Sequence, residues 1–357
     1  MEAPSFGGTY AEGIVGEAKD LDKHLARLTG AGLTRLEPNG DVKGDLAESW
    51  EIQEDGKVYQ FKLRQGYSSS DFASQIQNKN LWPDIEIGTP AENLLTFRFK
   101  GPFSPFLYTS TEPIFSYGPY KITKEEKTQI TLEAEKNYWK GRSHIQKIII
   151  KLYPDQPSLM KAAKNGDLMG YLTESKDDYR PENFTSYEMT LPRELDLFFN
   201  LSRDFLKNGD VRRNLRDYKP LDQDYSFTLV TSENPTNVRM AEEIKNRWKN
   251  LRATINIKTY NNIELQKDVI PKRDYDILLY GLDYGPDPDP YPFWHSSQMT
   301  ETGKNLSNFS NKTADKLLED ARQTFDFNLR SQKYEEFRKI LADEAPYIVV
   351  KKASIFY

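Results

Sequence analysis

The sequence of 357 residues contains no cysteine. This absence excludes disulfide cross-links, thiolate zinc ligands and a cysteine nucleophile. Histidine is scarce as well: His24, His144 and His295 lie far apart, and none has the spacing of a metal-binding motif such as HExxH. We therefore interpret the histidines as ordinary surface or packing residues and expect no metal site.

Long apolar runs and an excess of positive charge are also missing. No stretch approaches the roughly 20 apolar residues of a membrane helix, and residues 1–5 lack the basic and apolar regions of a secretory signal. Lys and Arg number 49 against 54 Asp and Glu, a net charge of −5. Such an acidic chain has no electrostatic footprint for nucleic acid, so we expect no nucleic-acid partner.

Common catalytic motifs are absent too. The chain has no G-x-S-x-G elbow, phosphate-binding loop or G-x-G-x-x-G fingerprint. Asp283 and Asp287 offer a pair of acids of the kind that glycosidases use, but acids in proline-rich loops are more often caps and turn formers. Residues 287–290, Asp-Pro-Asp-Pro, lack the glycine-centred spacing of a calcium loop. The sequence favours a binding protein over an enzyme and predicts no cofactor.

The residues that are present indicate a folded α/β protein. Aromatic residues make up 13% of the chain, including 21 tyrosines, which is atypical of disorder, and the length suits two or three domains. Residues 58–63 and 94–99 alternate with period two, and Asp55-Gly56 before the first of them is a hairpin signal. The first 150 residues are therefore predicted to be rich in antiparallel strands. Residues 148–150, all isoleucine, predict a strand buried on both faces.

Beyond residue 225 the pattern changes to alternating strands and helices. Such alternation predicts a largely parallel sheet, with ligands beyond the carboxyl ends of its strands. Four alternate prolines follow the last strand, so we predict that residues 281–294 form a stiff loop that is neither helix nor central strand. The predicted elements are strands at 226–231, 255–260 and 275–280, a helix at 238–251, and two helices between 313 and 343.

Several segments together resemble the extracellular solute-binding proteins of ABC importers, in the peptide-, dipeptide- and nickel-binding family called family 5. The most recognisable is Asp45-Leu46-Ala47-Glu48-Ser49-Trp50. Matching segments follow in family order over nearly the whole chain: 7–16, 32–40, 56–66, 117–122, 137–139, 165–168, 211–213 and 274–297. Family members are longer, and the resemblance implies that stretches present in them are missing here near 66–71, 115–117 and 215–220 and after 357.

The resemblance implies a two-lobe periplasmic-binding-protein fold of type II, with the ligand cleft between the lobes. An additional β-rich subdomain would belong to the first lobe. The expected boundaries are 1–33, 112–200 and 345–357 for lobe I, 34–111 for the subdomain, and 201–344 for lobe II.

The implied function is capture of oligopeptides and their delivery to the permease subunits of an ABC importer, without catalysis. Oligosaccharides or nickel complexes are alternative solutes in the same family, and an Asp/Glu-dependent hydrolase is an alternative from another class. The resemblance also implies a bacterial monomer outside the cytoplasmic membrane, lipid-anchored or periplasmic. The signal and anchoring cysteine would have been removed from the sequence given.

A peptide of variable sequence must be held by its constant parts, which are its backbone and its charged termini. Backbone groups near Glu12 and Gly13 are candidates for pairing with the peptide, and Asp283 is the candidate partner of its α-ammonium group. Gly281 would allow close approach. The expected aromatic walls are Tyr10, Tyr280, Tyr284 and Trp294, although core packing is the favoured alternative for Trp294 and an equal one for Tyr284.

Overall fold

The computed structural model describes residues 5–16, 18, 21–38, 40–173, 181, 184–285 and 289–357. The chain forms two compact units: unit 1 comprises Met1–Thr190 with Ser354–Tyr357, and unit 2 comprises Leu191–Ala353. The predicted α/β class is confirmed. The boundaries between the two units, at 190/191 and 353/354, lie about ten residues from the predicted lobe boundaries at 200/201 and 344/345. The predicted lobes and the separate subdomain stay predictions.

The strands are numbered along the chain: β1 (Gly7–Val15), β2 (Thr34–Leu36), β3 (Val42–Gly44), β4 (Ala47–Gln53), β5 (Val58–Leu63), β6 (Glu86–Ala91), β7 (Leu94–Arg98), β8 (Tyr120–Glu126), β9 (Gln129–Ala134), β10 (Ile145–Tyr153), β11 (Gly170–Tyr171), β12 (Glu188–Phe199), β13 (Tyr225–Ser232), β14 (Ala253–Tyr260), β15 (Ile277–Asp283) and β16 (Tyr347–Phe356). The α-helices are α1 (Asp22–Thr29), α2 (Ser69–Asn78), α3 (Phe106–Thr109), α4 (Gln156–Lys164), α5 (Asp204–Lys207), α6 (Gly209–Arg216), α7 (Pro235–Trp248), α8 (Asn262–Glu264), α9 (Ile270–Lys272), α10 (Tyr291–Trp294), α11 (Lys312–Gln323) and α12 (Phe327–Glu344).

A five-stranded sheet in unit 1 has the order β11-β1-β10-β9-β8. Strand β1 pairs in parallel with both of its neighbours, whereas β8, β9 and β10 are antiparallel. The antiparallel prediction for this part of the chain therefore holds for β8–β10 and is wrong for β1. In β10, Ile148 and Ile150 are buried on one face of the sheet, whereas Ile149 on the other face is only half-buried. The prediction that this strand is buried on both faces is therefore wrong for the face that carries Ile149.

A second, antiparallel sheet in unit 1 has the order β4-β5-β7-β6, beside a two-stranded ladder of β2 and β3. The predicted hairpin is confirmed: the chain turns between β4 and β5 with positive φ at Asp55 and Gly56 (52° and 92°). Period-two alternation directs Tyr59 and Phe61 into a core of aromatic rings, in which both contact Phe106. Trp50 and Trp82 pack at the edge of this core, and Trp139 also contacts it.

Unit 2 is built on a five-stranded sheet of order β14-β13-β15-β12-β16. Strand β13 pairs in parallel with β14 and β15, as predicted, whereas β12 is antiparallel to β15, so the sheet is mixed. The predicted helix is confirmed as α7, which buries Ala241, Ile244 and Trp248. The two predicted C-terminal helices are α11 and α12, and α12 ends where Ala345 takes a positive φ of 47° before Pro346.

The two faces of the unit 2 sheet carry separate apolar cores, because alternate residues of β12 point to opposite faces. Leu197 and Phe199 join the core that contains Trp248, whereas Phe198 joins the core that contains Trp294. Asp196 lies two residues before Phe198 and therefore faces the Trp294 side of the sheet.

The segment after residue 280 differs from the predicted loop where the structure describes it; residues 286–288, and with them the candidate acid Asp287, lie outside the described residues. Strand β15 continues through Gly281 to Asp283, and residues 291–294 form the short helix α10. Pro292 lies in the first turn of α10, where the absence of a backbone N–H costs nothing because that group has no partner within the helix. Candidate residues 281 and 283 are thus strand residues with a fixed register.

Candidate functional site

The carboxyl end of β15 carries Tyr280, Gly281 and Asp283. Tyr280 is half-buried, and its hydroxyl oxygen lies 3.4 Å from Nε2 of Gln266, which donates to it. Gly281 is exposed, and a Cβ there would meet no atom closer than the Glu194 carbonyl oxygen at 3.8 Å. The protein's own packing therefore does not require glycine at this position, which leaves the strand surface accessible to another molecule.

Asp283 lies directly opposite Arg193 of β12 in the antiparallel register. Its Oδ2 is 3.5 Å from Nη2 of Arg193, and both side chains are substantially exposed. Its Oδ1 accepts a hydrogen bond from the backbone N–H of Gly285 at 3.1 Å. The candidate partner for an ammonium group is thus exposed, and a cation of the chain lies beside it.

Tyr284 follows β15 and folds back toward the sheet. Its backbone N–H donates to the Pro192 carbonyl at 2.8 Å, and its ring lies edge-on to Phe293 with centroids 4.7 Å apart. Its hydroxyl donates a 2.8 Å hydrogen bond to Oδ2 of Asp196. Burial, reinforced by the Asp196 carboxyl group, raises the pKa of Tyr284 far above its ordinary value. The side chain is therefore a neutral donor at every physiological pH.

Asp196 is fully buried, with 0% of its surface exposed. Its Oδ1 finds no hydrogen-bond partner among the residues that the structure describes. Burial raises the pKa of Asp196 to about 7, against the lowering effect of the Tyr284 hydrogen bond; Glu194 adds to the rise and Lys352 opposes it. A carboxyl group with this environment stands out, because a buried acid is ordinarily paired with a cation.

Trp294 is buried in the core of unit 2 and is only 4% exposed. Its ring lies 4.7 Å from that of Tyr347 and 6.2 Å, edge-on, from that of Phe309. These contacts support the core-packing alternative for Trp294 within the described structure. Burial raises the pKa of Tyr347 to about 12.

In unit 1, Tyr10 lies on β1, and its hydroxyl is in very close contact with the hydroxyl of Tyr357. Both hydroxyls lie over Gly170 of β11, where an added Cβ would overlap the Tyr10 hydroxyl and come within 2.9 Å of that of Tyr357. Burial raises the pKa of Tyr357. Tyr10 is half-buried and Tyr357 is exposed, and the position of their hydroxyls favours glycine at position 170.

Glu12 and Gly13 lie on β1 of the same sheet, between β11 and β10. Glu12 is buried, and its Oε1 is 3.8 Å from Nε2 of His24. A Cβ on Gly13 would lie 2.5 Å from Leu168 Cδ1, so close packing accounts for this glycine. Both edges of β1 are paired here, because Glu12 is in register with Ile150 on one side and with Gly170 on the other. A peptide strand would find the backbone of these two residues already engaged by the protein's own strands.

The candidate residues thus fall into two groups that the units hold separately. Unit 1 holds Tyr10, Glu12 and Gly13; unit 2 holds Tyr280, Gly281, Asp283, Tyr284 and Trp294. Sequence reasoning missed Arg193, Asp196 and Tyr347. Asp196 gave a readable signal, because it is the only polar residue in the apolar run Leu195–Phe199. The described ranges contain no group of three or more His, Cys, Asp or Glu residues placed to bind a metal ion.

The resemblance to solute-binding proteins is confirmed by a family comparison. Residues 77–216 match the family described as bacterial extracellular solute-binding proteins, family 5 Middle. The described helices include none whose length and apolar character would carry it through a membrane.

Particular relatives share this fold at low sequence identity. The probable D,D-dipeptide-binding periplasmic protein DdpA of Escherichia coli (strain K12) is 22% identical over 408 residues, covering 86% of this chain and 78% of the relative. The alignment has 408 positions, which is more than the 357 residues of this chain. It therefore contains gaps on the side of this chain, where the relative has segments that this chain lacks. The crystal structure of the ABC transporter substrate-binding protein CtaP of Listeria monocytogenes superposes with a TM-score of 0.80 at 19% identity, covering 99% of this chain and 94% of that one. The oligopeptide-binding protein AppA of Bacillus subtilis in complex with a nonapeptide gives a TM-score of 0.74 at 18% identity, covering 99% of this chain and 95% of that one.

Proposed function

We propose that this protein is the substrate-binding component of an ABC importer, and that it captures peptides and releases them unchanged to a membrane permease. The observation that carries the proposal is the carboxyl end of β15, where exposed Asp283 immediately precedes Tyr284 in the chain and lies two residues beyond open Gly281. Support comes from the family match and from relatives whose names state dipeptide or oligopeptide binding.

The chemistry of this strand end suits a peptide with a free amino terminus. An exposed carboxylate attracts an α-ammonium group, and the Tyr280 and Tyr284 rings offer apolar area with polar edges for varied side chains. The sheet geometry agrees, because β13, β14 and β15 are parallel and ligands bind beyond the carboxyl ends of such strands. The assignment of Tyr10, Glu12 and Gly13 to solute contacts stays a prediction.

We propose in addition that the protein acts outside the cytoplasmic membrane of a bacterium, lipid-anchored or periplasmic, as a monomer. The family description as extracellular proteins supports the location. The net charge of −5 supports the absence of a nucleic-acid partner.

The test is isothermal titration calorimetry with synthetic peptides of two to nine residues, each with a free and an N-acetylated amino terminus, alongside maltooligosaccharides and nickel–histidine. We expect saturable binding of free peptides only. Mass spectrometry of the recovered peptide should show it intact. Binding of a sugar or nickel complex in place of peptides, or cleavage of the peptide, would overturn the proposal.

The role of Asp283 is tested by Asp283→Asn, with Asp204→Asn as the matched control because Asp204 is an exposed aspartate of the same unit paired with Lys207. Asp283→Asn should weaken binding of free peptides about tenfold, which is typical of one lost charge-assisted contact. The control should bind normally. Equal affinity of wild type and Asp283→Asn for free peptides would remove Asp283 from the site.

A further inference from the structure

The bond between Asp196 and Tyr284 joins the segment after β15 to the middle of the sheet. Tyr284 is the first residue after the strand, and its hydroxyl reaches the carboxyl group of a residue 88 positions earlier in the chain. This bond acts together with the ring contact to Phe293 and the backbone hydrogen bond to Pro192 in placing Tyr284 against the sheet. The orientation of one candidate wall of the solute site therefore depends on a carboxyl group that itself lies out of reach of solvent.

Among the residues that the structure describes, no ion pair joins Asp196 to a cation. Lys352 of β16 exerts a favourable charge effect on Asp196, but its Nζ lies 3.5 Å from Oε1 of Glu194. Glu194 shares β12 with Asp196 and adds a like charge. The groups that face Asp196 from the packed elements are Glu194 and Lys352, Tyr280 directly opposite on β15, Tyr284, and Tyr347 with Arg338 behind it.

We propose that Asp196 is a positioning residue for the solute site: its protonated carboxyl group holds Tyr284 against the sheet, and loss of that proton releases Tyr284 and weakens solute binding. The proposal rests on the proposed function in assigning Tyr284 to the solute site. The positioning of Tyr284 by Asp196 is independent of any solute.

The physical reason is the unequal cost of the two protonation states. A neutral carboxyl group accepts the Tyr284 hydrogen bond through Oδ2 at little cost in a buried site. An ionised one would hold a full charge with a single hydrogen bond and an unpartnered Oδ1, which is strongly unfavourable away from water. The chain relieves this cost when the side chain of Tyr284 moves outward and admits water to the carboxylate. Burial places this change near neutral pH, since it raises the pKa of Asp196 to about 7.

The first experiment needs no solute. Aspartate carboxyl carbons and tyrosine ζ carbons are labelled with carbon-13 in the full chain, and Asp196→Asn and Tyr284→Phe assign the two signals. We expect the Asp196 signal to titrate near pH 7 and the Tyr284 signal to shift with the same midpoint. In Asp196→Asn the Tyr284 signal should stay constant from pH 5.5 to 8.5. An Asp196 midpoint near 4, or a Tyr284 signal that ignores it, would overturn the proposal.

The second experiment measures affinity for the tightest-binding peptide at pH 6 and pH 8. Because apparent affinity scales with the competent fraction, wild type should bind about tenfold more weakly at pH 8 than at pH 6. Asp196→Asn keeps an oxygen acceptor for Tyr284, so it should bind like wild type at pH 6 and lose less affinity than wild type at pH 8. Asp196→Ala, which has no acceptor, should bind weakly at both pH values.

The two failures are distinguishable. If no peptide binds but the coupled titration is observed, the proposed function fails and the positioning of Tyr284 stands. If peptides bind and the affinities of wild type and Asp196→Asn change in parallel with pH, the proposed function stands and the role of Asp196 in binding is refuted.

Discussion

Arg193 and Asp283 face each other across the β12–β15 ladder, with Nη2 of the arginine 3.5 Å from Oδ2 of the aspartate. The pair is exposed, so the attraction is screened by water and is weak, on the order of 1 kcal/mol or less. A cation of this kind does not block an incoming ammonium group but competes with it. Arg193 is therefore expected to lower, and not to support, the affinity of Asp283 for a peptide amino terminus.

Replacing Arg193 tests this competition. Arg193→Gln should raise the affinity for peptides with a free amino terminus about two- to fivefold, because the carboxylate of Asp283 loses its competing cation. N-acetylated peptides should show no saturable binding to the variant, as with wild type. Calorimetry at low and high salt provides the measurement, and the gain should diminish as salt screens the charges. A loss of affinity in Arg193→Gln would instead show that the arginine contacts the solute.

The stability of the fold should depend on pH through Asp196. Its pKa of about 7 in the folded protein lies above the ordinary value of 3.8, so the folded state binds the proton more tightly than the unfolded state. This contribution to stability is present at low pH and is lost as pH rises toward 7, with a slope of up to about 1.4 kcal/mol per pH unit.

Asp196→Asn removes this contribution. The variant should match wild type near pH 4.5 and be the more stable of the two at pH 8, as measured by urea unfolding at both pH values. The control is Asp204→Asn, which removes the charge of an exposed aspartate. Its stability relative to wild type, measured at the same two pH values, reports any general effect of charge. Parallel stability curves for wild type and Asp196→Asn would contradict the prediction.

Gly170 should not tolerate a side chain. Gly170→Ala would place a methyl group onto the hydroxyl of Tyr10 and 2.9 Å from that of Tyr357, and we expect a loss of about 1–3 kcal/mol in the free energy of unfolding. Tyr10→Phe in the same chain should restore part of the loss, because it removes the overlapping oxygen. The matched control is Gly101→Ala, since a Cβ there meets no atom within 4 Å.

Asp289 should stabilise the segment that leads into α10. Its Oδ2 accepts from Nε of Arg322 at 2.8 Å, and the carboxylate is nearly fully buried. The Arg322 guanidinium also lies 3.6 Å from the ring centroid of Tyr291. Asp289→Ala leaves a partly buried cation without this partner and should cost about 2 kcal/mol by chemical denaturation. Asp204→Ala removes an exposed pair and should cost less than about 0.5 kcal/mol.

Much of the fold was readable because local patterns coincide with tertiary burial. Residues 58–63 alternate in sequence and form β5 with those bounds, and the apolar spacing of Ala241, Ile244 and Trp248 defines the buried face of α7. Strand β15 was predicted to end at residue 280 because Gly281 and the prolines beyond are weak strand formers. Pairing with β12 carries the strand on to Asp283 regardless of those propensities.

The site was less readable because its geometry joins residues that are distant in sequence. Asp283 and Tyr284 could be chosen from their position after a strand, but their partners Arg193 and Asp196 lie about 90 residues earlier. No local sequence pattern indicates the register in which β12 pairs with β15. Likewise, Gly170 is explained only by two tyrosine hydroxyls from the opposite ends of the chain.

The five tryptophans are distributed between the two units. Trp50, Trp82 and Trp139 belong to unit 1, whereas Trp248 and Trp294 lie on opposite faces of the unit 2 sheet. Each apolar core of unit 2 thus has its own intrinsic fluorophore. Arg64 lies 3.6 Å from the ring centroid of Trp139, which gives that indole an electrostatic environment unlike the others. In a set of variants that each keep one tryptophan, the emission spectrum would report the thermal unfolding of unit 1 and of each core of unit 2 separately.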